Sequence, residues 1–229
     1  MFYNEEYFSR FTMMLTQEQK EKLFSSRVLV FGVGGVGSAV VHMLIRSGIQ
    51  RIGIVDFDTI DITNVNRQLV AFSDNIGKLK VDELEKQLKN INPNVQVDKY
   101  ALKLSQETIS QISFEYDYIV DCIDDLSAKK LLIKLANEKN IPLLCAMGAG
   151  NRYDEIPQFE IADIKKTSYD PIAKILRKFC VAERINKLQV CYTKQKAHKF
   201  DCKIIGSVIY YPVNMASVMC AKVVTDILK

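Results

Sequence analysis

A glycine-rich segment near the N-terminus has the composition of a phosphate-binding turn. Its four glycines are Gly32, Gly34, Gly35 and Gly37. They follow an apolar run and precede a helical pattern, so they would let the chain turn tightly and bring backbone N–H groups against a phosphate. Asp56 ends the next apolar run, where an acidic side chain can bind ribose hydroxyls. The spacing predicts a site for ATP or NAD; glycines that serve only helix–strand packing are the alternative.

Charged and amide side chains follow Asp56 in an arrangement suited to phosphate chemistry. They are Asp58, Asn64, Arg67 and Lys80. We expect them at the carboxyl end of a central strand, the edge at which open α/β sheets bind ligands. Hydride transfer needs few cations, whereas nucleotidyl transfer builds negative charge on the phosphate that is attacked. The cluster therefore favours ATP over NAD; a solvated charged loop is the alternative.

A second acidic cluster ends another apolar run. Asp121, Asp124 and Asp125 lie just before a helical pattern. Carboxylates at a strand end could hold Mg²⁺ beside bound phosphates. They could instead cap the following helix by accepting hydrogen bonds from its unpaired N–H groups. Both interpretations stay open, and Asp125 is the better cap candidate because it lies closer to the helix.

Strand and helix periods alternate along the chain. In the first two thirds, strands are predicted at 27–32, 51–56, 95–100, 116–121 and 141–147, and helices at 35–47, 78–88 and 127–139. In the last third, strands are predicted at 158–164 and 187–193, helices at 170–180 and 212–228, and a basic loop at 194–203. This alternation predicts an α/β fold with a doubly wound, mostly parallel sheet and a C-terminal elaboration.

Composition excludes several classes of protein. The chain has 229 residues, 48% of them hydrophobic and 25% charged, which is typical of a globular protein. Its net charge of +4 permits an RNA partner without requiring one. The six cysteines form no C-x-x-C pair, so we expect no zinc site and a reducing, cytoplasmic location. Two uncharged windows, 28–45 and 204–221, are broken by glycine, proline and polar residues, so we expect no membrane span.

Together the motifs resemble the ThiF/MoeB/HesA superfamily of ATP-dependent activating enzymes, to which the ubiquitin-activating enzymes also belong. The resemblance rests on GVGGVG at 32–37, IVDFDTIDITNVNRQ at 54–68, GKLK at 77–80 and VDCIDD at 120–125. It implies a single Rossmann-like, ThiF-type ATP-binding domain over 1–229. A nucleotide-binding core would occupy 9–150, and a C-terminal elaboration for substrate or dimer contacts would occupy 151–229.

Within this superfamily the chain is similar to the tRNA threonylcarbamoyladenosine dehydratases. The shared segments are RF at 10–11, NINP at 90–93, IPL at 141–143, GAG at 148–150, KT at 166–167, DPIA at 170–173 and DC at 201–202. The resemblance implies ATP-dependent activation of the threonyl carboxylate on an adenosine in the tRNA anticodon loop, followed by ring closure with loss of water. An adenylyltransferase for a ubiquitin-like sulfur carrier is an alternative, although such enzymes commonly hold zinc in C-x-x-C pairs. A non-catalytic nucleotide-binding scaffold is another.

The resemblance also implies roles for individual residues around ATP. Gly35 would lie in the loop over the phosphates, and Asp56 would bind the ribose. Asn64, Arg67 and Lys80 would contact the phosphates. Arg67 and Lys80 would further neutralise the charge that develops as the α-phosphate is attacked.

Three more residues receive roles from the resemblance. Asp124 would hold Mg²⁺ with ATP, and Arg10 would reach the nucleotide of the neighbouring subunit in a homodimer. Cys202 could be catalytic or handle sulfur from a sulfur-transfer protein partner; a buried free thiol is the alternative. Candidate contacts to tRNA phosphates are Lys165, Lys166, Arg177, Lys178, Lys194, Lys196, Lys199 and Lys203.

Overall fold

The computed structural model describes residues 5–201 and 204–229, which are built around a seven-stranded sheet. Its strands are β1 Arg27–Phe31, β2 Arg51–Val55, β3 Gln96–Tyr100, β4 Tyr118–Asp121, β5 Leu143–Ala146, β6 Glu160–Asp163 and β7 Gln189–Tyr192. Their order across the sheet is β3-β2-β1-β4-β5-β7-β6. Only β6 runs antiparallel to its neighbour. The predicted doubly wound, mostly parallel sheet is therefore confirmed.

Helices cover both faces of this sheet. They are α1 Ser9–Thr12, α2 Gln17–Ser25, α3 Gly35–Arg46, α4 Lys80–Ile91, α5 Leu126–Glu138, α6 Pro171–Ala182 and α7 Tyr210–Ile227. One hydrophobic core joins the sheet to α3, α4 and α7, and two others join it to α5 and α6. None of the helices in the described part of the chain is both long and apolar enough to cross a bilayer.

The central strand β1 is apolar because it is covered on both sides. Val28 and Val30 belong to the core beneath α3 and α7, whereas Leu29 and Phe31 belong to the core on the opposite face. All four side chains are fully buried. A strand that is buried on both faces shows a continuous apolar run rather than an alternating one, which is the pattern seen in the sequence.

The last third of the chain extends the same sheet. Strand β7 pairs in parallel with β5, and β6 pairs antiparallel with β7. Helix α7 then returns across the sheet and packs against α3. The C-terminal part thereby comes to lie beside the helix that follows the glycine turn.

Sequence analysis did not identify helix α2, although its start carries a local signal. The Thr16 side chain accepts a hydrogen bond from the backbone N–H of Gln19, and the Gln19 side chain accepts one from the backbone N–H of Thr16. This reciprocal capping box satisfies two donors that a helix end leaves unpaired. The T-x-x-Q spacing would have been sufficient to predict the helix.

Asp125 is the N-cap of α5: its Oδ1 accepts a 2.7 Å hydrogen bond from the backbone N–H of Ala128. We expect Asp125→Ala to lower the free energy of unfolding by about 1 kcal/mol, because that N–H loses its partner. Asp125→Asn should retain most of the stability, since its amide oxygen can still accept. Urea denaturation measures these changes.

The exposed neighbour Asp124 supplies the matched control. Asp124→Ala should change the free energy of unfolding by less than about 0.5 kcal/mol. An equal loss in both alanine variants would contradict the assignment of the cap to Asp125.

Candidate functional site

A cleft of about 580 Å³ lies where the strand order reverses, at the carboxyl ends of β1 and β4. Its walls come from the glycine turn and from segments 55–58, 64–68, 102–104, 122–125 and 146–150, together with residues near the start of α7. The crevice at this reversal is the usual ligand site of open α/β sheets. Its volume lies within the range of small-molecule pockets.

The glycines of the turn divide between packing and lining the cleft. Gly32 has φ +79°, and a Cβ there would lie 2.8 Å from the carbonyl oxygen of Cys122. A Cβ on Gly37 would lie 1.8 Å from the oxygen of Gly32, so only glycine allows this close approach. Gly34 and Gly35 line the cleft together with Gly32, whereas Gly37 does not. Gly34 is the N-cap of α3 and has no side chain to cap it, which leaves the first helical N–H groups available to an anion.

Asp56 braces the glycine turn from the next strand. Its carboxylate accepts hydrogen bonds from the backbone N–H of Val33 at 2.8 Å and of Asp58 at 2.9 Å. Burial raises the pKa of Asp56, and the nearby charge of Lys80 opposes that effect. Each carboxylate oxygen can accept more than one hydrogen bond, so the side chain can hold the turn and still accept from a ribose hydroxyl.

Lys80 reaches the cleft from the first residue of α4. Its side chain is buried, and its Nζ lies 2.8 Å from Oδ2 of Asp58, which is half exposed. The ion pair holds the ammonium group at the cleft before any ligand binds. A ligand phosphate would meet a cation that is already positioned.

Asn64 and Arg67 line the cleft from the irregular segment after β2. The Asn64 side-chain oxygen accepts a 3.1 Å hydrogen bond from the backbone N–H of Asp61. Nη1 of Arg67 donates to the carbonyl oxygen of Thr63 and, at 3.1 Å, to Oδ1 of Asn66. Through these hydrogen bonds both side chains stabilise the conformation of residues 61–67 at the cleft wall.

Gln68 presents an acceptor without a partner to the same cleft. The residue is only 7% exposed, and its Oε1 makes no hydrogen bond within the described residues. A buried amide oxygen that lacks a partner costs free energy, which a donor on a ligand would recover. The open backbone at Gly34 and this acceptor fit a polar nucleotide better than an apolar ligand. Sequence analysis did not select Gln68 as a site residue, because a glutamine carries no charge signal.

The aspartate that ends β4 and the two that follow it have three different environments. Asp121 is fully buried, Asp124 is exposed at the cleft, and Asp125 caps α5. Of the two interpretations left open by the sequence, capping of α5 is confirmed for Asp125. The magnesium interpretation stays a prediction, and Asp124 is the aspartate that is exposed at the cleft.

A buried ion pair supports the floor of the cleft. Nζ of Lys129 lies 2.9 Å from Oδ2 of Asp121 and donates a 2.9 Å hydrogen bond to the carbonyl oxygen of Ala146. Burial acts to lower the pKa of Lys129, but the Asp121 charge raises it above its usual value. Sequence analysis missed this lysine, because an eight-residue separation across a strand and a helix leaves no local periodicity.

The wall that follows β5 is held by two more buried charged side chains. Nη1 of Arg152 donates to the carbonyl oxygens of Gly148 at 3.2 Å and Gly150 at 3.0 Å. Asp170 caps α6 through the N–H of Ala173 and also accepts a 3.1 Å hydrogen bond from the N–H of Gly148. The sequence indicated Asp170 only as part of a resemblance and did not indicate Arg152. Both side chains shape the 148–150 segment of the cleft.

The remaining candidates lie away from the cleft or outside the described residues. Arg10 is exposed on α1 and is not among the residues that line the cleft. Cys202 and Lys203 lie outside the described residues. Of the other basic candidates, Arg177 donates to the carbonyl oxygen of Thr167 at 2.7 Å. The exposed ones are Lys165, Lys166, Lys178, Lys194, Lys196 and Lys199.

Metal ligands are sparse in the described ranges. Within 5–201 and 204–229, no three His, Cys, Asp or Glu side chains converge on a common point. A magnesium ion there would depend on one or two carboxylates and on the phosphates of a ligand, which is its usual mode of binding beside nucleotides.

The amino-acid sequence is similar to a known protein family and to characterised members of it. Residues 8–222 match the profile of the ThiF family. The tRNA threonylcarbamoyladenosine dehydratase of Bacillus subtilis (strain 168) is 42% identical over 191 residues, which are 82% of this chain and 74% of that protein. The tRNA threonylcarbamoyladenosine dehydratase of Escherichia coli (strain K12) is 32% identical over 219 residues, 94% of this chain and 79% of that protein.

A solved structure with the same fold is the E. coli tRNA N6-threonylcarbamoyladenosine dehydratase in complex with ATP. It has a TM-score of 0.90 and 24% sequence identity, and the match covers 98% of this chain and 94% of that one. The likeness establishes the fold over nearly the whole chain, including its C-terminal third.

The buried ion pair permits a test of how the cleft floor is stabilised. Lys129→Met should lower the free energy of unfolding by about 3–5 kcal/mol, because it leaves Asp121 buried without its partner. The double variant Lys129→Met/Asp121→Asn should recover much of this loss, since the pair is then neutral and Asn retains an oxygen for the N–H of Ile123. Guanidinium denaturation measures both. A double variant no more stable than Lys129→Met would contradict the ion-pair argument.

Proposed function

The chain belongs to the ThiF family, and from that premise we propose that it is an ATP-dependent tRNA threonylcarbamoyladenosine dehydratase. The observation that carries the proposal is that the similarity to dehydratases extends over nearly the whole chain, including the C-terminal third beyond the nucleotide cleft. A nucleotide-binding core shared by many activating enzymes would by itself leave the substrate undecided. The substrate is the threonylcarbamoyl group on an adenosine of the tRNA anticodon loop.

ATP is needed because a carboxylate is a poor electrophile. Direct loss of water would require oxide to leave from the threonyl carboxylate. Transfer of an adenylyl or phosphoryl group from ATP forms a P–O bond to the carboxylate oxygen, and that oxygen can then leave with the phosphate. A nitrogen of the same modification attacks the carbonyl carbon, forms the ring C–N bond and loses its proton. The net change in the nucleoside is the loss of one water.

The cleft residues receive the following roles in this proposal. The N–H groups at the start of α3, beside Gly34 and Gly35, bind the phosphates, and Asp56 accepts from the ribose. Arg67, Asn64 and Lys80 contact the phosphates. The buried position of Lys80 supports its role, because a cation in a partly dehydrated site stabilises developing negative charge more strongly than it would in water.

Asp124 is the residue that would hold Mg²⁺. Its carboxylate is exposed at the cleft and is not used to cap α5, a role that belongs to Asp125. A bound magnesium ion would supply positive charge to the phosphate oxygens. Gly32 and Gly37 contribute indirectly, since they allow the turn to close.

Ring closure requires no nucleophile from the protein. The attacking nitrogen and the activated carboxyl group belong to the same modification, so the step benefits from a high effective concentration. This accounts for a cleft that is rich in phosphate-binding groups and has no histidine among its lining residues. A catalytic or sulfur-handling role for Cys202, with a sulfur-transfer partner, stays a secondary proposal.

We also propose a homodimer in which Arg10 acts in trans. The support is that Arg10 is exposed on α1 and does not line the cleft of its own chain. In each subunit of this dimer, residues 9–150 would form the nucleotide-binding core, and residues 151–229 would make contacts to the substrate or to the other subunit. We place the enzyme in the cytoplasm, where tRNA and ATP are both present.

The function is tested by mass spectrometry of nucleosides from threonylcarbamoyl-modified tRNA incubated with the protein, Mg²⁺ and ATP. We expect the modified adenosine to lose one water only when ATP is present. Lys80→Ala should reduce the rate by about 100-fold or more, because a cation at the attacked phosphate is removed. Unchanged nucleosides despite ATP binding would contradict the proposal and favour activation of a sulfur-carrier protein.

Lys86 supplies the matched control for Lys80. It lies on the same helix, is mostly exposed and pairs with Glu83 at 2.6 Å. Lys86→Ala should leave the dehydration rate within about twofold of wild type. Equal losses in the two variants would indicate a general effect of altering α4 rather than a role at the phosphates.

The trans arrangement is tested by mixing two inactive subunits. Arg10→Ala and Asp124→Ala homodimers should each be inactive, because each lacks one group in both sites. A heterodimer has one site in which both residues are intact, so about half of the wild-type activity per heterodimer should return. Inactive heterodimers of verified composition would exclude action in trans.

A further inference from the structure

Three ring side chains form a cluster on the surface beside the cleft. The Tyr153 ring centroid lies 5.1 Å from that of His198, which lies 6.1 Å from that of Phe200. Tyr153 and Phe200 are 56% and 51% exposed. We name Tyr153, His198 and Phe200 the aromatic platform. Adjacent large exposed rings on a protein surface are typical of an interaction site.

Asn151 joins the platform directly to the cleft wall. Its backbone oxygen accepts a 2.7 Å hydrogen bond from the N–H of His198, and its side-chain oxygen accepts one at 2.6 Å from the N–H of Gly206. The preceding Gly150 and the nearby Ile205 both line the cleft. The platform is therefore one residue removed from a segment that lines the cleft.

The platform is held in place by polar contacts beneath its rings. Nε2 of His198 lies 2.7 Å from Oδ1 of Asp154. The buried Arg152 donates to the carbonyl oxygen of Gln195 at 3.0 Å and so ties the two segments that carry the rings. The Tyr210 hydroxyl donates to the carbonyl oxygen of Tyr153. A surface whose rings are already positioned loses little conformational entropy when it binds.

Lysines neighbour the platform residues along the chain, since Lys196 and Lys199 flank His198. Nζ of Lys196 lies 5.8 Å from the ring centroid of Tyr169, which is 69% exposed and has φ +59°. A left-handed backbone is rare for a bulky aromatic residue and frequently marks a functional position. Lys199 is also exposed, as are Lys165 and Lys166, which precede Tyr169 in the chain. Exposed rings together with lysines suit a ligand that has both flat bases and phosphates.

We propose that the aromatic platform stacks unpaired nucleotides that flank the modified adenosine of the tRNA, while Lys196 and Lys199 contact their phosphates. The inference rests on the proposed function. A base must leave its stack to enter an enclosed site, and the neighbouring bases are then left at the mouth of that site. Unpaired RNA bases are commonly held by stacking on aromatic side chains. A second copy of this chain is the rival occupant, and the experiment below distinguishes the two.

The first measurement is direct binding of a threonylcarbamoyl-modified anticodon stem-loop, followed by fluorescence anisotropy. Tyr153→Ala and Phe200→Ala should each weaken binding by about tenfold, because stacking on one ring is lost. Tyr153→Phe and Phe200→Tyr should bind like the wild type. Phe72→Ala is the matched control, since Phe72 is 53% exposed but lies outside the platform. Thermal unfolding verifies that each variant is folded.

Two further readouts separate stacking from a general loss of activity. The KM for tRNA should rise in the alanine variants, while kcat at saturating tRNA and the Kd for ATP should stay unchanged. Lys196→Ala and Lys199→Ala should each reduce the slope of log affinity against log salt by about 0.7, the value for one phosphate contact on a single strand. The platform variants should leave that slope unchanged.

The outcomes distinguish failure of this inference from failure of the proposed function. If the wild type dehydrates modified tRNA but the alanine variants bind the stem-loop normally, the platform is excluded and the function stands. If the wild type does not dehydrate tRNA but its stem-loop binding depends on the rings, the platform stands as an RNA-binding surface. Normal stem-loop binding with a changed sedimentation coefficient would assign the rings to a contact between copies of the chain and overturn the inference.

Discussion

The close contact between the glycine turn and the end of β4 is the constraint on which the cleft depends. A Cβ at Gly37 would overlap the oxygen of Gly32, and one at Gly32 would collide with the backbone of Cys122. Only without these atoms can α3 start directly above the strand ends with its N–H groups facing the cleft. Asp56 then braces the turn from β2 through the N–H of Val33. The uncapped N–H groups at the start of α3 and the close packing of the turn on the sheet are therefore two consequences of one turn.

Two lysines that line the cleft are each paired with a carboxylate before a ligand arrives. Lys80 pairs with Asp58 at the wall, and Lys129 pairs with Asp121 beneath the floor. The two pairs differ in what they can do. The inner pair is sealed from solvent and supports the strand end, whereas the Asp58 side chain of the outer pair is half exposed and lines the cleft. Asp124 is exposed at the same cleft and does not cap α5.

The C-terminal third extends the sheet and completes one wall of the cleft. Strand β7 extends the sheet beside β5, and α7 packs against α3. The loops between these elements complete the cleft wall and carry the aromatic platform. Arg152 links them, since its guanidinium bonds both the 148–150 segment that lines the cleft and the carbonyl oxygen of Gln195. A substrate bound by these loops would meet the reacting groups of the cleft directly.

The sequence by itself determined the features that depend on a few neighbouring residues. The apolar runs of β1 and β4 and the glycine turn were predicted, and Asp125 was the better candidate for the cap, because hydrophobic periodicity and helix capping act over short distances along the chain. The capping box of α2 is equally local, because Thr16 and Gln19 are three residues apart, and the sequence therefore carried the signal for this helix as well.

Tertiary structure alone decided which charged groups are paired. It buried Asp121 against Lys129 and left Asp124 exposed at the cleft. It also decided contacts between distant uncharged groups, since Asn151 is hydrogen-bonded to the backbone of both His198 and Gly206. These contacts follow from the strand order and from the path of the C-terminal loops. Residues far apart in the chain leave no periodic signal of such contacts, so their environment is decided only when the sheet assembles.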